Sequence, residues 1–143
     1  MKNCVAIVTG ASQGIGRSTA IRLARDFSAV VLAARNAKKL AEVATEVQKM
    51  GAEPLTLALD LSQVEASNLV VNTTLERFGQ IDALLNIAGA VPQIDLFEMT
   101  DEQWKAGMEF DRPRLECRKA SQPRVQGREG PSASEWGVLA FTL

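Results

Sequence analysis

VTGASQGIG, residues 8–16, places glycines at 10, 14 and 16 directly after the apolar run Cys4 to Val8. A strand that ends at such a loop and gives way to a helix needs a residue free to take positive φ at the turn, and Gly10 supplies it. Gly14 and Gly16 fall at the helix start, where a Cβ would hold off a ligand or the neighbouring strand. Backbone N–H groups there, with the helix macrodipole, favour a phosphate, and a branched side chain at Gly14 would fill the space a phosphate needs. A glycine triplet alone also suits a tight strand-to-helix turn with no ligand, so the surrounding chain has to decide.

Outward from the loop, apolar runs alternate with segments of helical period as far as about residue 90. The strands expected are Cys4 to Thr9, Ala29 to Ala34, Leu55 to Leu59 and Ile81 to Asn86, each nearly all apolar, as strands covered on both faces are. Between them Ala20, Leu23, Ala24 and Phe27 share one helical face. Leu40, Val43, Ala44 and Val47 share a second, and Ser67, Val71, Leu75 and Phe78 a third. Gly51 and Gly79 end the second and third helices. Thr100 and Gln103 have capping-box spacing, opening a helix through about Phe110. This α/β alternation predicts a parallel sheet with crossover helices on its faces.

A chain of 143 residues, 46% hydrophobic, supports one core, and its formal net charge of -1 gives no reason to expect a nucleic-acid surface. The start MKNCVAIV lacks the apolar run and cleavage site of a secretory signal, and no run reaches membrane-spanning length. Cys4 and Cys117 fit reduced thiols of a cytoplasmic protein. Residues 112–143 differ in character: Arg112, Arg114, Arg118, Arg124 and Arg128 stand among Pro113, Pro123 and Pro131, and only the closing WGVLAFTL is apolar. That composition predicts a separate basic, Pro/Gly/Ser-rich tail, largely disordered, after a dinucleotide-binding segment over 1–111.

TGxxxGIG, followed by LLNIAG after the fourth strand, resembles the short-chain dehydrogenase/reductase family over residues 1 to about 110. The resemblance implies a Rossmann-like doubly wound parallel sheet, here incomplete at about four strands, that binds NAD(H) or NADP(H). It implies that Gly10, Ser12, Gln13, Gly14, Ile15 and Gly16 wrap the cofactor diphosphate. It puts Asn86, Ala88 and Gly89 beside the ribose and nicotinamide, with Ile87 where the family usually has a second Asn. Asp60 and Leu61 match the position that frames the adenine, although Asp60 or Ser62 also suits an N-cap of the next helix. An acidic residue at the end of the second strand would accept from the ribose hydroxyls; Arg35 stands there instead and favours a 2′-phosphate. NADP(H) is therefore expected over NAD(H), unless Arg35 is merely a solvated strand end.

The family's proton donor is a Tyr with a Lys four residues on, supported by a Ser, and this chain contains no Tyr and no His. Asp111 stands where the family usually has an Asn of the proton relay, seven residues after Trp104, and the likeness stops there. Ser121, Ser132 and Ser134 have no visible activating partner. No catalytic residue and no metal site is assigned. Trp104 and Met108, at i, i+4 spacing, suit packing or subunit contact. The strand Ile81 to Asn86 is expected to be an unpaired edge, open to a homo- or hetero-oligomeric partner. The function expected is the NADP(H)-binding portion of an oxidoreductase acting on an alcohol or carbonyl, catalytically inactive as this chain. The alternatives are a non-catalytic cofactor-binding or interaction module and a nonfunctional truncated product.

Overall fold

The computed structural model describes residues 4–89, 98–103, 105 and 139–142. β1 (Val5–Thr9), β2 (Ala29–Ala34), β3 (Glu53–Ala58) and β4 (Ala83–Asn86) alternate with α1 (Gly14–Leu23), α2 (Ala37–Lys49) and α3 (Val64–Phe78), and β5 (Leu139–Thr142) closes the series. All four pairings are parallel and the order is β3-β2-β1-β4-β5. The α/β reading therefore stands, as a Rossmann-like sheet.

Side chains of β2 alternate between two cores, as the strand period requires. Val30, Leu32 and Ala34 pack with Ala20 and Ala24 of the first crossover and with Leu40, Val43 and Val47 of α2. Ala29, Val31 and Ala33 point the other way, to Ile7, Leu84 and Val70 of α3. Covering both faces explains why β1 and β2 are wholly buried runs of small and branched apolar residues. β3 is half covered because it lies at the edge, which is where Pro54, lacking a backbone donor, is tolerated.

Several expected boundaries move for local reasons. Cys4 is a half-buried lead-in outside β1, its carbonyl accepting from the Ser28 backbone and hydroxyl. Asp82 also precedes its strand: its carboxylate accepts from Val5 N at 2.7 Å while its own N–H donates to the Val5 carbonyl at 2.9 Å. β3 starts two residues early, at Glu53, whose carboxylate pairs with Arg77 of α3 at 2.6 Å. On α3 the buried stripe is Ala66, Ser67, Val70, Val71 and Thr74, so Leu75, expected inside, is exposed. Gly51 and Gly79 follow the ends of α2 and α3 as expected.

The expectation of an open edge at β4 is overturned. The strand Ile81 to Asn86 is not an unpaired edge, because Leu139, Ala140, Phe141 and Thr142 pair with Ala83, Leu84, Leu85 and Asn86. The closing apolar run of the chain supplies this strand, so among the described residues the sheet edges are β3 and β5. Thr100 and Gln103 do form the capping box: Thr100 N donates to Gln103 Oε1 at 2.9 Å and Gln103 N to Thr100 Oγ1 at 3.3 Å, with residues 101–103 helical. The remaining course of that helix to Phe110, Trp104, Met108, Asp111, Cys117 and the three tail serines lie outside the described residues, as does most of the tail 112–143 expected to be largely disordered, of which Leu139–Thr142 instead forms β5. No helix among the described residues is long and apolar enough to cross a membrane.

Candidate functional site

Strand order reverses at β1, whose neighbours are β2 on one side and β4 on the other. Crossovers leave this point in opposite directions, and a crevice opens beyond the carboxyl ends of the strands. A cleft of about 710 Å³ occupies that place, bounded by the loops that follow β1, β2, β3 and β4. Its volume falls within the usual range for a small-molecule or cofactor site.

The first loop makes the floor. Gly10 has φ of +69°, and a Cβ on it would come within 2.8 Å of Ala88 N, so the glycine loop and the loop after β4 are packed backbone to backbone. Thr9 locks the two together. Its buried hydroxyl accepts from Ile87 N at 2.9 Å and Ala88 N at 3.1 Å and donates to the Leu85 carbonyl at 3.3 Å, which uses the whole capacity of the group. We predict that Thr9→Val, which keeps the shape and removes the acceptor, lowers stability by about 1–3 kcal/mol by stranding buried donors. Thermal unfolding measures the loss, and faster hydrogen exchange at the Ile87 and Ala88 amides localises it.

The α1 terminus is chemically open. Its N-cap, Gln13, makes no side-chain cap, and the first turn carries no acid, so N–H groups at the helix start are left for an acceptor from outside the helix. By contrast, α2 is capped by Asn36, whose Oδ1 accepts from Lys39 N at 3.0 Å. The two helices meet across the cleft, where Lys39 Nζ donates to Gln13 Oε1 at 2.8 Å.

Asp60, at the third loop, is not the N-cap of α3; neither is Ser62, since Gln63 occupies that position without a side-chain cap. Asp60 Oδ1 instead accepts from Ser62 N at 3.0 Å, the turn formed by an Asp bonded two residues on. That backbone bond, with the Ser62 hydroxyl and the nearby Arg35 charge acting the same way, holds the Asp60 carboxyl below its ordinary pKa of 3.8. Asp60 is thus an anion at neutral pH. Its stabilising contribution is present above the ordinary value and is lost as pH falls through the lowered one.

Gly10, Ser12, Gln13, Gly14, Gly16, Arg35, Asp60, Leu61, Ala88 and Gly89, all singled out from the sequence, line this one cleft. Ile15 and Asn86 do not line it. The Ile15 side chain is 63% exposed on α1, and Asn86 is buried at the end of β4. Ala34, Asn36, Lys39 and Leu59 complete the lining without having been anticipated, together with Ile87, which the sequence marked only as a departure from the family's Asn. The basic pair Lys38-Lys39 opening the second helical segment was the available signal for Lys39. Among the described residues no group of three His, Cys, Asp or Glu side chains stands together as a metal site would require.

The family profile described as short chain dehydrogenase matches residues 4–111. An uncharacterised oxidoreductase of Listeria innocua is 35% identical over 105 residues, which are 73% of this chain and 42% of that relative. Among solved structures, a metagenomic short-chain oxidoreductase in complex with NADP superposes with a TM-score of 0.74 at 33% identity, over 84% of this chain and 55% of that one. NAD⁺-bound xylitol dehydrogenase gives a TM-score of 0.77 at 27% identity, over 84% of this chain and 47% of that one. The chain spans less than half the length of the curated relative it matches.

Proposed function

The chain belongs to the short chain dehydrogenase family, and from that premise we propose that it is the NADP(H)-binding portion of an oxidoreductase of alcohols or carbonyls, located in the cytoplasm. The observation that carries this reading is the glycine-floored cleft at the sheet's switch point, with an uncapped helix start on one side and Arg35 on the other. In this reading Gly10, Ser12, Gln13, Gly14 and Gly16 hold the diphosphate. Ile15 contributes its backbone N–H alone, since its side chain faces out. Asp60 and Leu61 frame the adenine, Arg35 binds the 2′-phosphate, and Ala88 and Gly89 flank the ribose and nicotinamide. Asn86 acts from beneath, as a buried support at the end of β4. The bound nicotinamide would supply the hydride chemistry; this chain's residues orient it and carry its phosphate charges.

Calorimetric titration of the full chain tests the reading. NADPH is expected to bind at least about tenfold more tightly than NADH, the scale of one charge-assisted contact. Arg35→Asp is expected to erase or reverse that preference, because a carboxylate repels the 2′-phosphate and accepts from ribose hydroxyls. Equal affinities in the unaltered chain would sink the assignment.

A second reading, a non-catalytic cofactor-binding module that pairs with another chain, is favoured by one observation: the sequence holds neither Tyr nor His to deliver a proton. Binding without turnover supports it, and the mass of the soluble species reports whether a second chain is recruited.

A further inference from the structure

Resting on the reading of the cleft as a dinucleotide site, we propose that β5 is its positioning strand. Leu139–Thr142 holds the end of β4, and through it the Ile87–Gly89 wall that meets the nicotinamide end of the cofactor. Cofactor binding and β5 docking therefore strengthen each other.

Register is the first argument. β1 pairs with Ala83, Leu84 and Leu85 of β4 and stops there, whereas β5 runs one residue further and pairs Thr142 with Asn86. Asn86 is the residue from which the chain enters the cleft wall at Ile87, Ala88 and Gly89. On the β1 side that wall is tied by Thr9, whose hydroxyl accepts from Ile87 N and Ala88 N, and by the close packing of Gly10 on Ala88. On the far side, among the described residues, the ladder to β5 fixes its approach. Without β5, β4 becomes the edge of the sheet, with a row of backbone groups unpaired directly beneath the wall.

The size of β5 is the second. It is a four-residue edge strand separated from β4 by more than fifty residues of chain, so its docking closes a long connection for a short ladder. Edge elements of this kind open locally at a fraction of the global unfolding free energy. The span that matches the family profile, residues 4–111, contains every residue lining the cleft and leaves β5 outside. The cleft and the strand that steadies it thus come from different parts of the chain. A ligand that favours the ordered wall shifts the equilibrium toward docked β5, and by linkage docked β5 raises the ligand's affinity by the same factor. The gain falls on the nicotinamide end, because in the proposed complex the adenosine end rests on the loops after β1, β2 and β3.

Two probes separate the ends of the site: NADPH, and adenosine 2′,5′-bisphosphate, which carries the adenosine end alone. In hydrogen exchange on the full, unaltered chain, NADPH should slow the amides of Leu139–Thr142 together with those of Ile87 and Ala88, and the bisphosphate should leave both groups unchanged. Calorimetry on Ala140→Pro and Phe141→Pro makes the reciprocal measurement. Neighbouring residues of a parallel strand turn their backbone groups to opposite sides, so one of these prolines loses its bond to β4 and the other faces the open edge, where proline is tolerated. With the wall ordered in about one molecule in ten, the first variant should bind NADPH about tenfold more weakly and the bisphosphate within about twofold. Equal loss of both probes would make β5 a support of the whole fold and overturn the inference, as would two variants that both bind NADPH undiminished. If neither variant folds, exchange on the unaltered chain decides: unchanged amides at Leu139–Thr142 in the NADPH complex overturn the inference while the dinucleotide reading stands. An unaltered chain that binds neither probe removes that reading and this inference together.

Discussion

Gly16→Ala is expected to destabilise the chain severely, although alanine is the better helix former. A Cβ at Gly16 would overlap the Gly10 carbonyl oxygen and lie 2.6 Å from its carbon and 3.1 Å from Ala11 N. These are backbone atoms of the turn that joins β1 to α1, and they cannot rotate aside. That turn is itself fixed, since Gly10 N donates to the Ala33 carbonyl at 2.8 Å and Gly10 packs on Ala88. Overpacking typically costs about 1–3 kcal/mol, and more where the atoms met are locked backbone, a large share of the roughly 5–15 kcal/mol that holds a domain together. Gly14→Ala makes the contrast. A Cβ there meets no protein atom within 4 Å, so its cost is the φ of +55°, about 1–2 kcal/mol. Gly14→Ala should melt cooperatively and bind NADPH more weakly, because the added methyl group stands at the floor of the cleft. A urea titration by far-UV circular dichroism separates the two, and a native-like transition for Gly16→Ala would overturn the argument.

That contrast was hidden in the sequence, where Gly14 and Gly16 looked alike as residues allowing close approach. The spacing of the loop shows that something comes near; only the fold shows that Gly10 approaches Gly16 while open space adjoins Gly14. Strands were legible where both faces are covered: β2 is Ala29–Ala34 as read, because a run apolar at every position has one interpretation. Legibility failed where polar side chains satisfy backbone groups, as Asp82 does for Val5. It also failed for the chain's last apolar run, whose pairing with β4 depends on contacts more than fifty residues apart. At the site, motif residues were legible and Lys39 was not. A lysine in the first turn of an amphipathic helix reads as solvated until α1 and α2 are brought together and its ammonium reaches Gln13.

The 143-residue chain is expected to bind NADPH and yet show no reductase turnover on any carbonyl. Hydride delivery leaves an alkoxide that must be protonated as it forms. The cleft's titratable side chains are Arg35, Lys39 and Asp60, the first engaged with phosphate in the proposed complex, the second bonded to Gln13 and the third an anion at neutral pH. The sequence has no phenol or imidazole to take the part of the family's Tyr. General acid assistance contributes about 10² to 10⁴ in rate, and alignment of substrate against cofactor about 7–11 kcal/mol of barrier in well-oriented cases. Loss of both leaves a rate beneath detection even at saturating NADPH. The measurement is NADPH oxidation over a broad carbonyl panel, with protein freed of contaminating reductases and Gly14→Val as the control for dependence on the cleft. Turnover that survives repurification and disappears in that control would overturn the prediction and point to a proton donor elsewhere in the chain, with Asp111 the first residue to replace.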